Sequence, residues 1–243
     1  MKILFPLLAA LCLMATKSNA ATPLAAEEFK TTLTRNIATK YLAYLPPDYA
    51  AIPAKSWPLL IFLHGAGERG DDLALLTTHG PPKLVQQGTN FPFIIIAPQC
   101  PKGQHWDNEV LLALLDRVVK QYRVDETRIY LTGISMGGFG TWSFGAAHPE
   151  RFAALAPICG GGSFIELFTA PPAAMKPLGV WAFHGVKDPV VPPAESQRMV
   201  DHLKKIGCQD VQLTLYPEAG HDAWTETYTN PKFYDWLLAR QRK

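Results

Sequence analysis

The sequence is poor in the features that mark several common protein classes. It has only four cysteines in 243 residues, and a chain of this length buries a substantial core without disulfide bonds. Basic and acidic residues nearly balance, 23 against 21, so no basic surface for nucleic acid is expected. Histidine, cysteine and aspartate never recur at the short spacings of metal sites. We therefore expect no metal, no cofactor and no nucleic-acid partner.

Long apolar runs are also missing, except at the amino terminus. There, Met1-Lys2 precedes the apolar run Ile3–Ala15, and Ser18-Asn19-Ala20 follows with small residues where a signal peptidase cuts. The run is too short to span a bilayer comfortably, which disfavours a membrane anchor. The pattern predicts a signal peptide over residues 1–20, cleaved after Ala20, and a secreted or periplasmic protein with no later membrane span. Residues 21–243 are then expected to form a single α/β domain.

Removal of the signal peptide leaves an odd number of cysteines: Cys100, Cys159 and Cys208. Cys100 and Cys159 both lie near the carboxyl ends of predicted strands. In an oxidising compartment, a disulfide between these two is one expectation. Three buried thiols are the other, because free cysteine is among the most buried residue types.

Short apolar runs bounded by turn residues recur along the rest of the chain. They predict strands over Pro58–Leu63, Phe93–Ala97, Arg128–Thr132, Leu155–Ile158, Val180–His184 and Val211–Tyr216, after two earlier strands over Glu27–Arg35 and Lys40–Leu45. Helices are predicted between and after them, over Asn108–Tyr122, Phe139–Ala147, Pro193–Ile206 and Pro231–Arg242. This alternation predicts an α/β fold, a doubly wound and mostly parallel sheet with helices on both faces. In such folds functional residues gather in the loops after the strands.

The most specific motif is Gly133-Ile134-Ser135-Met136-Gly137, a G-x-S-x-G pentapeptide between a predicted strand and a predicted helix. This setting is typical of a nucleophile elbow, a tight turn that projects the serine hydroxyl above the sheet. Glycines are needed there because larger side chains would clash. The alternative is an ordinary serine in a glycine-rich turn, which gives no reason for the position between strand and helix. We predict that Ser135 is a nucleophile.

A serine nucleophile needs a base that accepts its proton and an acid that orients the base. In this arrangement both follow the serine along the chain, the acid first, each in a loop after a strand. Asp188 and His221 occupy those two loops. Glu195 is a rival acid, but it lies at a predicted helix start, where an acid favours the helix dipole. Asp222, the other rival, adjoins the histidine and is expected to cap the next turn.

The negative charge that develops on the substrate oxygen needs two backbone N–H donors, which form an oxyanion hole. The first is predicted at Met136, directly after the nucleophile. The second is predicted in the glycine-rich loop after the predicted strand Pro58–Leu63, at Ala66 or else at Gly67. Two histidines that end predicted strands and precede glycine, His64 and His184, are expected to hold their loops by hydrogen bonds.

These segments together resemble a known family. Its motifs match, in order, Leu63-His64-Gly65-Ala66-Gly67-Glu68-Arg69-Gly70, the Ser135 pentapeptide, the Asp188 loop and Gly220-His221-Asp222. The chain resembles the phospholipase/carboxylesterase and dienelactone-hydrolase-like branch of the α/β hydrolases, roughly from Thr32 to Arg242. It is similar to groups described as predicted peptidases, polyhydroxybutyrate-depolymerase-like esterases and feruloyl esterases. The resemblance implies an α/β-hydrolase fold with the nucleophile, acid, base and oxyanion donors named above, and it leaves the ester class open.

Aromatic residues near the predicted strand ends are candidates for the substrate pocket. Trp106, Phe139 and Trp224 are expected to line an acyl or aryl site, with burial in the core as the alternative. Glu68 and Arg69 are expected to pair near the mouth of the pocket as a solvated ion pair of small energetic value.

The stretch from Gly162 to Gly179, where related folds insert a lid, is short and contains three prolines, so no large lid is expected. The resulting hypothesis is a serine carboxylesterase that hydrolyses small or aryl esters, free or polymer-linked, through an acyl-enzyme at Ser135. A serine peptidase of the prolyl-oligopeptidase-like group is one alternative, disfavoured by the lack of a large accessory domain. The other is a binding protein of hydrolase fold without turnover, disfavoured by the intact serine, aspartate and histidine.

Overall fold

The structure is a computed structural model that describes residues 26–163 and 172–242. The predicted signal peptide and part of the stretch considered for a lid lie outside these ranges. The chain divides into two units, residues 1–36 and 37–243. In the first unit, the described residues form neither helix nor strand, so the strand predicted over Glu27–Arg35 is wrong. Phe29 and Leu33 are 87% and 90% exposed, and alternating apolar residues form a stable strand only where a neighbouring strand pairs with them.

The described part of the second unit contains a seven-stranded sheet. Its strands are β1 (Tyr41–Tyr44), β2 (Trp57–Leu63), β3 (Ile94–Pro98), β4 (Val124–Ile134), β5 (Ala154–Ile158), β6 (Gly179–Gly185) and β7 (Val211–Tyr216). They lie in the order β1-β3-β2-β4-β5-β6-β7. Strand β1 is antiparallel to β3, and every other neighbouring pair is parallel. The predicted fold class, a doubly wound and mostly parallel α/β sheet, is confirmed.

Helices cover both faces of this sheet. The described helices are α1 (Gly80–Gln86), α2 (Asn108–Gln121), α3 (Met136–Ala147), α4 (Pro172–Met175), α5 (Ala194–Lys205), α6 (Trp224–Thr229) and α7 (Pro231–Leu238). One buried cluster includes Leu115 of α2 and Met199 of α5, and a second includes Trp224 of α6 and Phe233 of α7. Two cores on opposite faces explain why the strands read as continuous apolar runs. None of the described helices is both long enough and apolar enough to cross a bilayer.

The three cysteines of the described residues are free thiols, and all are buried. The Cys100–Cys159 disulfide therefore does not form, and the second expectation holds. Helices α1, α4 and α6 were not predicted, because each is shorter than two full turns and carries too few residues for a clear helical period.

Candidate active site

The turn between β4 and α3 holds Ser135 in an unusual backbone conformation. Its φ is 52° and its ψ is −116°, in a region that residues other than glycine rarely adopt. Such a conformation costs about 1–3 kcal/mol, and the surrounding structure must maintain it. Here the Ser135 N–H donates to the Ile158 carbonyl at 2.9 Å, which ties the turn to the end of β5. The helix begins immediately afterwards at Met136, three residues earlier than the sequence predicts.

The two outer glycines of the pentapeptide are required by close backbone contacts. A Cβ atom on Gly133 would lie 2.3 Å from the Gly137 carbonyl oxygen. A Cβ atom on Gly137 would lie 2.0 Å from the carbonyl oxygen of Leu63, at the end of β2. Both obstacles are backbone atoms, so neither moves aside easily. The G-x-S-x-G spacing is thus a steric requirement of this turn.

The loops after β4, β6 and β7 bring Ser135, Asp188 and His221 into one hydrogen-bonded chain. The His221 Nε2 atom lies 2.9 Å from Ser135 Oγ, and its Nδ1 atom lies 2.7 Å from Asp188 Oδ2. An ionised carboxylate only accepts, so Nδ1 carries the imidazole proton and Nε2 is free to accept from the serine. The serine and the histidine are 86 positions apart in the sequence. They meet because the carboxyl ends of parallel strands share one edge of the sheet.

Asp188 is held ionised by its hydrogen bonds. Its Oδ1 atom accepts from the N–H groups of Val190 and Val191, at 2.8 and 3.0 Å. Burial acts to raise the pKa of this carboxyl group, but the His221 imidazole and the two N–H donors outweigh it and hold the pKa below its ordinary value. The aspartate therefore stays a pure acceptor that fixes both the position and the tautomer of His221.

Two further buried side chains surround this carboxylate. The His184 Nε2 atom lies 2.9 Å from the Val191 carbonyl oxygen and 3.2 Å from Asp188 Oδ2, and Nδ1 contacts Ser196 Oγ at 2.8 Å. As expected, this histidine holds its loop by hydrogen bonds. Burial, with a contribution from the neighbouring Asp188, raises the pKa of the Cys159 thiol to about 12, so it remains protonated. The His184 N–H and the Cys159 S–H thus both lie beside the Asp188 carboxylate as further hydrogen-bond donors.

The two rival acids have other partners. The Glu195 carboxylate contacts the Arg198 guanidinium within helix α5. Asp222 accepts from the Thr225 N–H at 3.0 Å and from the Thr225 hydroxyl at 2.9 Å, at the start of α6. Both therefore act locally at helix starts, as their sequence positions suggest.

Two candidate oxyanion donors, Ala66 and Met136, share a cavity with the serine. Met136 is the first residue of α3, so its N–H has no partner within the helix. Ala66 opens a short 3₁₀ turn over Ala66–Glu68, in the loop that follows β2. Both residues line the same cavity as Ser135, whereas Gly67 is not among its lining residues. Ala66 is thus better placed than Gly67 as the second donor.

His64, the first residue after β2, is fixed in one neutral tautomer. Its Nε2 atom accepts from the Cys100 N–H at 3.0 Å, so the proton must be on Nδ1. From there it donates to the Gly65 carbonyl at 2.6 Å. Burial lowers the pKa of His64 despite the opposing effect of the Gly65 carbonyl, so the ring stays neutral. The expectation that His64 holds its loop by hydrogen bonds matches this geometry.

Glu68 and Arg69 do not pair, contrary to the expectation from the sequence. Arg69 donates from Nε to the Ala66 carbonyl at 3.0 Å and from Nη1 to the Gln104 carbonyl at 3.1 Å. The Glu68 carboxylate instead lies 3.7 Å from the His79 imidazole. Arg69 follows the 3₁₀ turn in extended backbone, with φ −63° and ψ 141°, and its two hydrogen bonds direct the guanidinium to carbonyls rather than to the Glu68 carboxylate.

The cavity beside Ser135 has a volume of about 530 Å³. Trp106 and Phe139 both line it, in the positions expected for pocket residues, and Phe139 is 38% exposed. The Trp106 ring lies against Gly140 of helix α3, where a Cβ atom would come within 2.7 Å of the indole. The absence of a side chain at Gly140 therefore leaves room for the Trp106 ring beside the cavity.

Trp224 does not line this cavity, so its assignment to the pocket is not supported. It is 8% exposed and lies in the second core, with its ring centroid 5.2 Å from His221 and 5.5 Å from His79. The indole meets the imidazole edge to face, at an interplanar angle of 86°. Helix α6 turns it inward directly after the histidine loop, which the sequence spacing alone does not indicate.

Known proteins share this architecture. Residues 102–234 match the family model described as "Dienelactone hydrolase family", a range that contains Ser135, Asp188 and His221. A bifunctional acetylxylan esterase/xylanase of Neocallimastix patriciarum is 28% identical over 57% of this chain and 20% of its own length. A probable feruloyl esterase C of Aspergillus niger is 24% identical over 77% of this chain and 69% of its own length.

A solved structure supports the same placement. The crystal structure of a thermostable esterase superposes with a TM-score of 0.69 and 34% identity, over 83% of this chain and 59% of that one. This chain thus spans only part of these relatives, from a fifth to about two thirds of their length. The family model covers more than half of the sequence. The chain therefore belongs to the dienelactone hydrolase family, a family of hydrolases with the α/β-hydrolase fold.

Proposed function

We propose that this protein is an exported serine carboxylesterase that hydrolyses small or aryl esters, free or polymer-linked, through an acyl-enzyme at Ser135. The hydrogen-bonded chain from Asp188 through His221 to Ser135, beside an open cavity, is the observation that carries this proposal. The predicted signal peptide is the only support for export, and residues 21–243 are proposed to act as a single domain.

The reaction divides into two halves. In the first, Ser135 Oγ attacks the ester carbonyl carbon while His221 Nε2 takes the hydroxyl proton, and Asp188 stabilises the imidazolium that forms. The N–H groups of Ala66 and Met136 bind the carbonyl oxygen as it becomes negative. His221 then gives its proton to the leaving oxygen, and the alcohol departs. In the second half, His221 activates a water molecule that releases the acid and restores the serine.

The cavity supports a modest acyl or aryl group. Its volume of about 530 Å³ lies within the range of small-molecule sites, and Trp106 and Phe139 give it an aromatic wall. Relatives are named as acetylxylan and feruloyl esterases, which are proteins that act on acyl groups of different size. We infer that the chain accepts both alkyl and aryl esters.

The test compares p-nitrophenyl butyrate with the matched butyryl p-nitroanilide, and adds p-nitrophenyl acetate and a feruloyl ester. We expect turnover of the esters and far slower cleavage of the anilide. The anilide nitrogen is a poorer leaving group than the ester oxygen, and it must be protonated as it leaves. Cleavage of the anilide at the rate of the ester indicates a peptidase instead. If folded protein turns over none of the substrates, the proposal is wrong and a binding role is favoured.

A further inference from the structure

The loop that follows β2 is held by side chains that donate to its backbone carbonyls. The carbonyl of His64 accepts from Trp106 Nε1 at 3.2 Å, that of Gly65 from His64 Nδ1 at 2.6 Å, that of Ala66 from Arg69 Nε at 3.0 Å, and that of Glu68 from Gln99 Nε2. Side chains from three different segments thus fix four carbonyls within five consecutive residues. The loop is immobilised by side-chain donors rather than by strand pairing.

Peptide planarity converts these carbonyl contacts into control of the opposite N–H groups. The carbonyl of one residue and the N–H of the next lie in one plane and point in opposite directions. The bond from His64 to the Gly65 carbonyl therefore aims the Ala66 N–H. The hydrogen bond from Arg69 to the Ala66 carbonyl fixes the next peptide plane, which carries the Gly67 N–H. Both peptide planes that meet at Ala66 are therefore fixed by hydrogen bonds, which restrains the position of the residue and the direction of its N–H.

Arg69 also joins this loop to the wall of the cavity. Its Nη1 atom donates to the Gln104 carbonyl, two residues before Trp106, and the Trp106 indole donates back to His64. Both hydrogen bonds of Arg69 go to backbone carbonyls, and within residues 26–163 and 172–242 no carboxylate forms an ion pair with it. The guanidinium fork fits this bridging task because it presents several donors in a rigid plane.

We propose that Arg69 is a positioning residue for the oxyanion hole: by anchoring the Ala66 carbonyl it keeps Ala66 in place, so that the Ala66 N–H, which the His64–Gly65 hydrogen bond orients, reaches the oxygen of the tetrahedral intermediate. This inference rests on the proposed function. A donor that matters only as charge develops changes kcat and leaves KM nearly constant. Arg69 also lines the cavity, but both of its hydrogen bonds go to backbone carbonyls, so we expect it to act on the chemical step more than on substrate affinity.

The test uses Arg69→Gln and Arg69→Lys with an ester and its matched thionoester, in which sulfur replaces the carbonyl oxygen. Sulfur is a weak hydrogen-bond acceptor, so the thionoester depends less on the oxyanion hole. In Arg69→Gln we expect kcat for the ester to fall about 10–100-fold with little change in KM, since loss of one oxyanion donor costs about 10²–10³. The thionoester rate should fall much less, so the ester-to-thionoester ratio collapses. Arg69→Lys should recover part of the ratio, because one ammonium donor still reaches the Ala66 carbonyl.

Arg242→Gln is the matched control. Arg242 also bridges two backbone carbonyls, those of Glu150 and Glu126, at the amino-terminal edge of the strands, opposite the serine. It should leave the ester-to-thionoester ratio at the wild-type value, and its unfolding temperature shows the cost of losing such a bridge. Equal loss on ester and thionoester in Arg69→Gln, or a higher KM at unchanged kcat, overturns the proposal. Absence of ester turnover in the wild type defeats the proposed function itself, before Arg69 is tested.

Discussion

Replacement of Ser135 by alanine is expected to lower kcat/KM for p-nitrophenyl butyrate by at least about a thousandfold. The hydroxyl is the only nucleophilic atom in contact with His221 Nε2 among the described residues, and alanine leaves the imidazole with nothing to deprotonate except water. Residual catalysis would come from the oxyanion donors and from substrate binding, which remain in place. Initial rates of p-nitrophenol release at several substrate concentrations measure the loss.

The control for this variant is Ser56→Ala, which removes a hydroxyl from an exposed serine outside the site. It should match the wild type in both rate and unfolding temperature. The Ser135 variant should unfold at the wild-type temperature or slightly above it, because alanine still occupies the strained turn and no buried group loses a partner. Wild-type turnover by a folded Ser135→Ala protein would show that Ser135 is not the nucleophile.

The second large effect is expected in Asp188→Asn, with kcat reduced on the order of 10³–10⁴-fold. Two N–H donors, from Val190 and Val191, face one oxygen of this side chain, so an asparagine must place its own oxygen there. Its NH₂ group then faces His221 Nδ1 and forces that atom to accept. The imidazole proton moves to Nε2, where it blocks transfer from Ser135. Measuring kcat and kcat/KM against pH for the variant and the wild type shows the loss at every pH tested.

Asp222→Asn provides the matched comparison, since Asp222 is adjacent to His221 and is one of the two rival acids. Its carboxylate accepts from the Thr225 N–H and hydroxyl at the start of helix α6, and an asparagine oxygen can accept from the same N–H. Activity should therefore stay close to the wild type. The opposite pattern, with a large loss in Asp222→Asn and a small one in Asp188→Asn, would reassign the acid.

The strands and the order of the three site residues were predictable from the sequence for one physical reason. A strand buried on both faces must be apolar at every position, so β2 and β3 are visible as unbroken runs such as Trp57–Leu63. Once a parallel sheet is inferred, the loops after its strands must converge at one edge. Ser135, Asp188 and His221 each follow a strand, and this placement requires no knowledge of side-chain conformation.

Contacts that depend on side-chain direction were not predictable in the same way. Spacing does not show that Trp224 turns into the core against His221, or that Arg69 turns away from Glu68 to reach two carbonyls. Both depend on how separate loops pack against each other after folding. The strand expected over Glu27–Arg35 failed for a related reason, because alternation specifies a strand only when a pairing partner exists.

Reaction with a fluorophosphonate probe, followed by peptide mapping, tests the central claim most directly. Such a probe bonds to a serine only when a neighbouring base activates the hydroxyl and N–H donors stabilise the negative charge that develops on the probe's oxygen. We expect one adduct per chain, on the peptide that contains Ser135, with labelling greatly slowed in a folded His221→Ala variant. No adduct on the folded protein, or an adduct on a different residue, would contradict the claim that these side chains act as one nucleophilic unit.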